Sequence, residues 1–302
     1  MMTAGWRQVM AGAAAGEAAF PVTVCYPTAE PEHMRQIGPY AISAAWDAAP
    51  APGRYPLTLL SHGSGSAPLV LRDLALQLAR AGFVVAMPVH PGDNRDDRSQ
   101  QGTLQTLRDR PRQLQQALEA VLADPALSTA VLPERVAVIG HSLGAYTALA
   151  LAGGEPRTLP AVWPDGPSDP IPVAHDARVS ALVLLAPAAV WYHAPGSLDA
   201  VRAPVLLLAG ELDELAPPAH HADLLAARLP ATTPLTYRIQ PGAGHFSFIS
   251  PFPPAMRQPG FGPALDPPGF DREAFQLELF ATVTAFLRET LEPSPQVARS
   301  YP

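Results

Sequence analysis

A serine between two glycines is the clearest chemical signal in the sequence: Ser142 stands at the centre of GHSLG, residues 140–144. The apolar run RVAVI precedes this segment and the helix-like run AYTALALA follows it. Strand, sharp turn and helix in that order expose a nucleophilic serine, and the glycines are needed because the turn brings backbone too close for side chains. The pattern therefore predicts Ser142 as a nucleophile.

A serine hydroxyl attacks only when a base accepts its proton, and the base in turn needs an orienting carboxylate. Asp213 follows the apolar run VLLLAG and is expected just beyond the carboxyl end of a strand, where catalytic groups gather in α/β folds. Glu211 and Glu214 are neighbouring carboxylates that could be mistaken for it. His245 lies further along in the glycine-rich loop PGAGHFSF. The order serine, acid, histidine predicts a triad of Ser142, Asp213 and His245.

The oxyanion of an acyl transfer needs two backbone N–H donors. One is expected from Leu143, directly after the nucleophile. The other is expected from Ser64 in the loop SHGSGS, whose glycines let the main chain bend and direct an N–H group into the site. A dinucleotide-binding loop is excluded there because the third glycine of G-x-G-x-x-G is missing.

Five residues near these motifs are expected to line the substrate pocket. His90 lies at the end of a strand in PVHPGDN, although a structural turn is an equal alternative. Trp191 and Tyr192 follow another strand and are expected at the pocket mouth, unless they pack under an insertion. Phe246 and Phe248 come directly after the predicted base. These aromatic side chains favour apolar acyl groups, and we expect short to medium chains of about two to eight carbons.

The composition excludes several classes of protein. Among 302 residues, 20 basic and 27 acidic side chains give a net charge of −7, and every basic residue is arginine. Nucleic acid is therefore not an expected partner, and P-loop, Schiff-base and Ser-Lys chemistry is excluded for want of a lysine. The single cysteine, Cys25, excludes an internal disulfide and thiolate-rich metal centres. We expect neither a metal nor a cofactor. The clustered carboxylates of DNRDDR, residues 93–98, could bind a cation, but the arginines between them favour a solvated, salt-bridged loop.

The apolar periodicity predicts short strands alternating with amphipathic helices, and therefore a mostly parallel central sheet flanked by helices. The expected strands are residues 20–26, 57–62, 83–89, 136–140, 181–186, 205–210 and 235–239. The expected helices lie around Leu74, Leu118 and Leu225, with a C-terminal helix opened by Asp271 as N-cap.

The whole chain, residues 1–302, is expected to form one α/β domain. Two segments interrupt the alternation, residues 153–178 and the Pro-rich residues 250–270, and we expect both to cover the site. The alternative is that both are tolerated surface insertions. No apolar run is long enough for a membrane span and no signal peptide is recognisable, so the expected location is cytoplasmic.

The GHSLG turn, the HGSG loop, GELDE, GAGHFSF, the early YPT and PVHPGDN together resemble the α/β-hydrolase superfamily. Within it they most resemble a bacterial group of predicted dienelactone hydrolases that is similar to platelet-activating-factor acetylhydrolases, over about residues 20–291. The resemblance implies an ester or lipid-like acyl substrate, the same triad, and the same two oxyanion donors. Dienelactone hydrolases proper use a cysteine where this chain has Ser142, so their lactone substrate is not carried over.

The sequence thus predicts a serine carboxylic-ester hydrolase that forms an acyl-enzyme with a small-molecule ester. Two alternatives remain open: an amidase or perhydrolase that uses the same triad, and a catalytically silent binding protein on the same fold. The acyl and alcohol groups and the oligomeric state are not determined by the sequence.

Overall fold

The computed structural model describes residues 2–12, 18–161 and 166–291, and in them ten strands form one sheet. The strands are β1 (Thr3–Ala11), β2 (Phe20–Thr28), β3 (His33–Ile37), β4 (Tyr40–Trp46), β5 (Tyr55–Ser61), β6 (Val84–Pro88), β7 (Val131–His141), β8 (Val179–Leu185), β9 (Val205–Gly210) and β10 (Leu235–Gln240). The helices are α1 (Arg72–Arg80), α2 (Leu104–Ala123), α3 (Leu143–Leu151), α4 (Ala222–Arg228) and α5 (Arg272–Leu291).

The order of strands across the sheet is β10-β9-β8-β7-β5-β6-β2-β1-β4-β3. From β10 to β6 every neighbouring pair is parallel, whereas β2 runs antiparallel to both β6 and β1. The predicted α/β-hydrolase fold, with a mostly parallel sheet between helices, is confirmed. All seven predicted strands are present, and Asp271 caps α5 by accepting a hydrogen bond from the N–H of Ala274 at 3.0 Å.

Strands β1, β3 and β4 were not predicted. Every residue of β3 is at least partly exposed, so it carries no apolar run, and β4 is rich in alanine, which has a low preference for strands. These strands extend the sheet beyond β2.

Helices cover both faces of the sheet. One core packs α2, α3 and α4 against one face, and a second core packs α1 and α5 against the other. Successive residues of the buried strands point to opposite cores: Leu59 belongs to the first and Leu60 to the second. Because these strands are buried on both faces, their sequences are continuous apolar runs.

The parallel strands place the loops that carry the predicted site residues at one edge of the sheet, because the carboxyl ends of parallel neighbours lie side by side. Residues 62–66 follow β5, Ser142 follows β7, residues 211–216 follow β9 and residues 241–248 follow β10. No helix in the described ranges is both long and apolar enough to cross a membrane.

The two insertions lie in different places. Residues 250–270 contribute side chains to the cavity at the active edge. The described residues of 153–178 do not line that cavity, contrary to expectation, and residues 162–165 lie outside the described part of the chain. The reason is topological: this segment runs from the end of α3 to the start of β8, and such connections lie at the amino ends of parallel strands.

Candidate active site

Ser142 sits at a sharp turn between β7 and α3. Its backbone has φ 55° and ψ −121°, in a region that side-chain-bearing residues rarely adopt. Its N–H donates to the Leu185 carbonyl at 3.0 Å, and its carbonyl accepts from the N–H of Ala188 at 3.1 Å. A Cβ on Gly140 would lie 2.1 Å from the Gly144 carbonyl oxygen, and one on Gly144 would lie 2.0 Å from the Ser61 carbonyl oxygen. Both glycines are therefore required by close backbone approach.

The predicted acid and base are in contact. His245 Nδ1 lies 2.8 Å from Asp213 Oδ2, and both side chains are buried. The other oxygen of Asp213 accepts from the N–H groups of Leu215 at 3.0 Å and Ala216 at 2.7 Å. Burial raises the pKa of the Asp213 carboxyl, but its hydrogen bonds to His245 and to these N–H groups outweigh that effect and leave the pKa below its ordinary value.

An ionised carboxylate only accepts hydrogen bonds, so the Asp213 contact assigns the proton of neutral His245 to Nδ1. Its Nε2 is then left with a lone pair, as a general base requires. Ser142 and His245 line the same cavity. Glu211, the neighbouring carboxylate, is exposed and accepts from the N–H of Gly242 at 2.8 Å instead.

His141 is a site residue that the sequence analysis missed. Its Nε2–H donates to the carbonyl oxygen of His245 at 2.9 Å, and the two rings lie 5.0 Å apart. Burial, followed by the nearby His245, lowers the pKa of His141 to about 3. The residue before the serine therefore ties the turn to the histidine loop as a neutral donor. Its position beside Ser142 was the available signal.

Of the two expected oxyanion donors, Leu143 follows the serine in the chain and Ser64 lines the same cavity as the serine. Leu143 is the first residue of α3, and the first N–H groups of a helix have no partner within it. Ser64 lines the cavity, and within the described residues its N–H donates to no acceptor. Their role stays a prediction. The Ser64 loop is held by a buried ion pair of Asp93 and Arg110, which the sequence analysis did not identify.

The cavity beside Ser142 has a volume of about 410 Å³. Five apolar side chains line one part of it: Phe246, Ile249, Phe252, Met256 and Phe261. The last three belong to the 250–270 insertion, so this segment forms a wall of the cavity.

That wall is anchored to α5 and to the histidine loop. Arg272 donates to Asp266 at 2.9 Å and to the carbonyl oxygens of Pro263 and Leu265 at 2.9 and 3.0 Å. Asp266 also accepts a hydrogen bond of 2.9 Å from the hydroxyl of Ser247, which follows His245 by two residues in the chain. One arginine thus holds the wall and, through Asp266, the histidine loop.

Four residues expected at the pocket lie elsewhere. His90 is fully buried, with its ring nitrogens against the Ser61 hydroxyl and the Gln113 side chain, each at 2.9 Å. Tyr192 and Phe248 are core residues, and Trp191 packs against the same core as Tyr192. These positions are corrections, and of the expected aromatic residues Phe246 lines the cavity.

The comparisons with known proteins agree with this architecture. The sequence model of the dienelactone hydrolase family matches residues 64–259. A solved structure, the ferulic acid esterase from Streptomyces cinnamoneus, is similar with a TM-score of 0.70 and 21% identity, over 99% of this chain and 93% of that one. No curated protein is significantly similar in sequence. In the described ranges, no three His, Cys, Asp or Glu side chains converge to hold a metal ion.

Four buried histidines predict how stability depends on pH. Burial lowers the pKa of His62 and His141 to about 3 and that of His221 to about 4, and it lowers that of His90 as well. The unfolded chain binds these protons below about pH 6.5 while the folded chain does not. The free energy of unfolding is therefore not reduced by these histidines above that pH. As the pH drops below it, the free energy of unfolding falls by up to about 1.4 kcal/mol per pH unit for each histidine.

Urea unfolding at pH 8, 6 and 5 measures this effect. We expect the free energy of unfolding to fall across the series, and to fall less steeply in the His221→Gln variant. A free energy that is constant from pH 8 to pH 5 contradicts the prediction.

Proposed function

Because the chain belongs to the dienelactone hydrolase family of carboxylic ester hydrolases, we propose that it cleaves esters through an acyl-enzyme formed on Ser142. The observation that carries the proposal is the 2.8 Å contact of His245 Nδ1 with Asp213, at a cavity that Ser142 also lines. This contact leaves His245 Nε2 as the acceptor for the serine proton.

In the first half of the reaction, His245 Nε2 takes the proton of the Ser142 hydroxyl while the serine oxygen bonds to the ester carbonyl carbon. The N–H groups of Leu143 and Ser64 stabilise the negative charge that develops on the carbonyl oxygen. The tetrahedral intermediate then collapses. The carbon–oxygen bond to the alcohol breaks, and His245 returns the proton to the departing alcohol.

In the second half, His245 Nε2 takes a proton from water, and the resulting hydroxide attacks the acyl carbon. The second tetrahedral intermediate then collapses: the bond between the Ser142 oxygen and the acyl carbon breaks, the serine oxygen takes the proton from His245, and the acid leaves. Asp213 stays ionised throughout: it keeps the imidazole in the right tautomer and stabilises its charged form.

The cavity supports a substrate with a short or medium apolar acyl group. Its volume of about 410 Å³ lies near the lower end of the range of small-molecule pockets, which is roughly 300–1,000 Å³. The aromatic and aliphatic side chains of the wall favour an alkyl or aryl group over a charged one.

A serine-directed fluorophosphonate tests the nucleophile. It is expected to label the wild type at Ser142 and to leave Ser142→Ala unlabelled, and the variant is expected to lose about 10⁴- to 10⁶-fold in kcat for p-nitrophenyl butyrate. Circular dichroism of the variant is the control for folding. A wild type that is neither labelled nor active on any ester or amide favours a silent binding protein, and turnover of amides alone favours an amidase.

The Asp213→Asn and Glu211→Gln variants form a matched pair, each replacing a carboxylate by its amide. Asp213→Asn is expected to lose about 10⁴-fold in kcat because the amide disfavours the Nδ1–H tautomer of His245. Glu211→Gln is expected to stay within about twofold of wild type, since Glu211 is exposed and its carboxylate accepts from the backbone N–H of Gly242. The reverse ranking, measured as kcat on p-nitrophenyl butyrate, places the acid at Glu211.

A series of p-nitrophenyl esters from acetate to palmitate tests the substrate range. Each methylene that enters the cavity is worth about 0.8 kcal/mol, so kcat/KM is expected to rise up to about fourfold per methylene and to fall beyond about eight carbons. Methyl ferulate completes the panel, because the structural neighbour is a ferulic acid esterase. A kcat/KM that climbs steadily to sixteen carbons contradicts the restricted cavity.

A further inference from the structure

A buried ion pair lies beneath the proposed oxyanion hole. Arg110 of α2 contacts Asp93 at 2.6 Å, and both side chains are only 1% exposed. Burial lowers the pKa of Arg110 to about 10, and the neighbouring Asp93 limits that fall, so the guanidinium stays charged at neutral pH. Ion pairs this deeply buried add little net stability compared with apolar side chains of similar size, so stability alone does not account for this one.

One oxygen of Asp93 faces the arginine and the other holds the loop after β5. Asp93 Oδ1 accepts from the Ser64 hydroxyl at 2.8 Å and from the N–H of Gly65 at 2.8 Å. Gly65 has a φ of +58°, which leaves this loop free to bend unless something fixes it. The carboxylate therefore binds the loop at the Ser64 side chain and at the Gly65 N–H, before and after the Ser64 carbonyl. These two hydrogen bonds restrict the direction of the Ser64 N–H.

Arg110 reaches the other half of the oxyanion hole. Its Nε–H donates to the Thr147 hydroxyl at 3.1 Å, and the Thr147 hydroxyl donates to the carbonyl oxygen of Leu143 at 3.0 Å. Its terminal nitrogen also donates to the His62 carbonyl oxygen. The same guanidinium thus contacts the loop that carries Ser64 and, through Thr147, the helix turn that carries Leu143.

We propose that the Asp93–Arg110 pair positions both oxyanion donors, Ser64 through Asp93 and Leu143 through Thr147. The inference rests on the proposed function. Neither residue touches the substrate, and both are positioning residues. Oxyanion donors act only when they lie about 2.7–3.1 Å from the developing charge, so a small displacement of either segment lowers kcat without changing substrate binding.

The test removes the pair without leaving a buried charge. In the double variant Asp93→Leu/Arg110→Met both partners become apolar, which commonly leaves stability unchanged or raised. Ser64→Ala is the milder variant: it keeps the backbone N–H, its side chain is exposed, and it loses the hydroxyl contact with Asp93. Arg108→Met is the matched control, because Arg108 lies exposed on the same helix.

Each variant is assayed with p-nitrophenyl butyrate, and kcat is expressed per active site titrated with the fluorophosphonate. We expect kcat to fall about 30- to 100-fold in the double variant and about 3- to 10-fold in Ser64→Ala, with KM within about twofold of wild type. Affinity for an aryl boronic acid, which places an oxygen in the oxyanion hole, is expected to fall in parallel with kcat/KM. Arg108→Met is expected to match wild type in every measurement.

A purely structural pair gives a different result. It lowers the fraction of titratable sites or the free energy of unfolding while kcat per active site and boronate affinity stay at the wild-type values, and that outcome overturns the proposal. Ser64→Ala decides the matter if the double variant does not fold. A wild type that hydrolyses no ester overturns the proposed function itself, whereas an active wild type with unaffected variants overturns only the role of the pair.

Discussion

The strained backbone of Ser142 is the constraint around which the active edge is organised. A residue with a side chain at φ 55° costs about 1–3 kcal/mol, and such a conformation persists only where the surrounding structure over-determines it. Here the surroundings are the end of β8, which hydrogen-bonds the serine backbone, and the turns at Gly140 and Gly144, which pack main chain against main chain. Helix α3 and the loop after β5 are held in place by the same close contacts.

The sequence was informative where a single physical requirement decides the residue type. Strands that are buried on both faces must be apolar, and most of the seven predicted strands are of this kind, although the edge strand β10 is partly exposed. A turn without room for a Cβ must contain glycine, which made the segment around Ser142 recognisable. The acid and the histidine follow strands that end at the same edge, so their contact could be predicted from order alone.

Sequence reasoning failed where burial contradicts residue type. Arg110 is buried on the same face of α2 as Leu107 and Leu114. An arginine in a sequence is nevertheless predicted to lie on the surface unless its buried partner is known. Conversely, Tyr192 and Phe248 follow the active edge in sequence yet point into the cores, because the direction of a side chain after a strand depends on the turn that follows. An arginine within an apolar stripe was the signal that could have revealed the ion pair.

The anchoring of the 250–270 wall bears on how this enzyme can acquire new specificities. Arg272 and Asp266 hold the wall and the histidine loop in one network, whereas Met256 and Phe261 face the cavity from outside it. Random mutagenesis of the wall therefore samples two kinds of position. Substitutions at Met256 or Phe261 change the shape of the cavity and leave the histidine loop in place, while substitutions at Asp266 disturb both at once. Acceptance of bulkier esters is therefore expected to require the fewest changes at Met256 and Phe261.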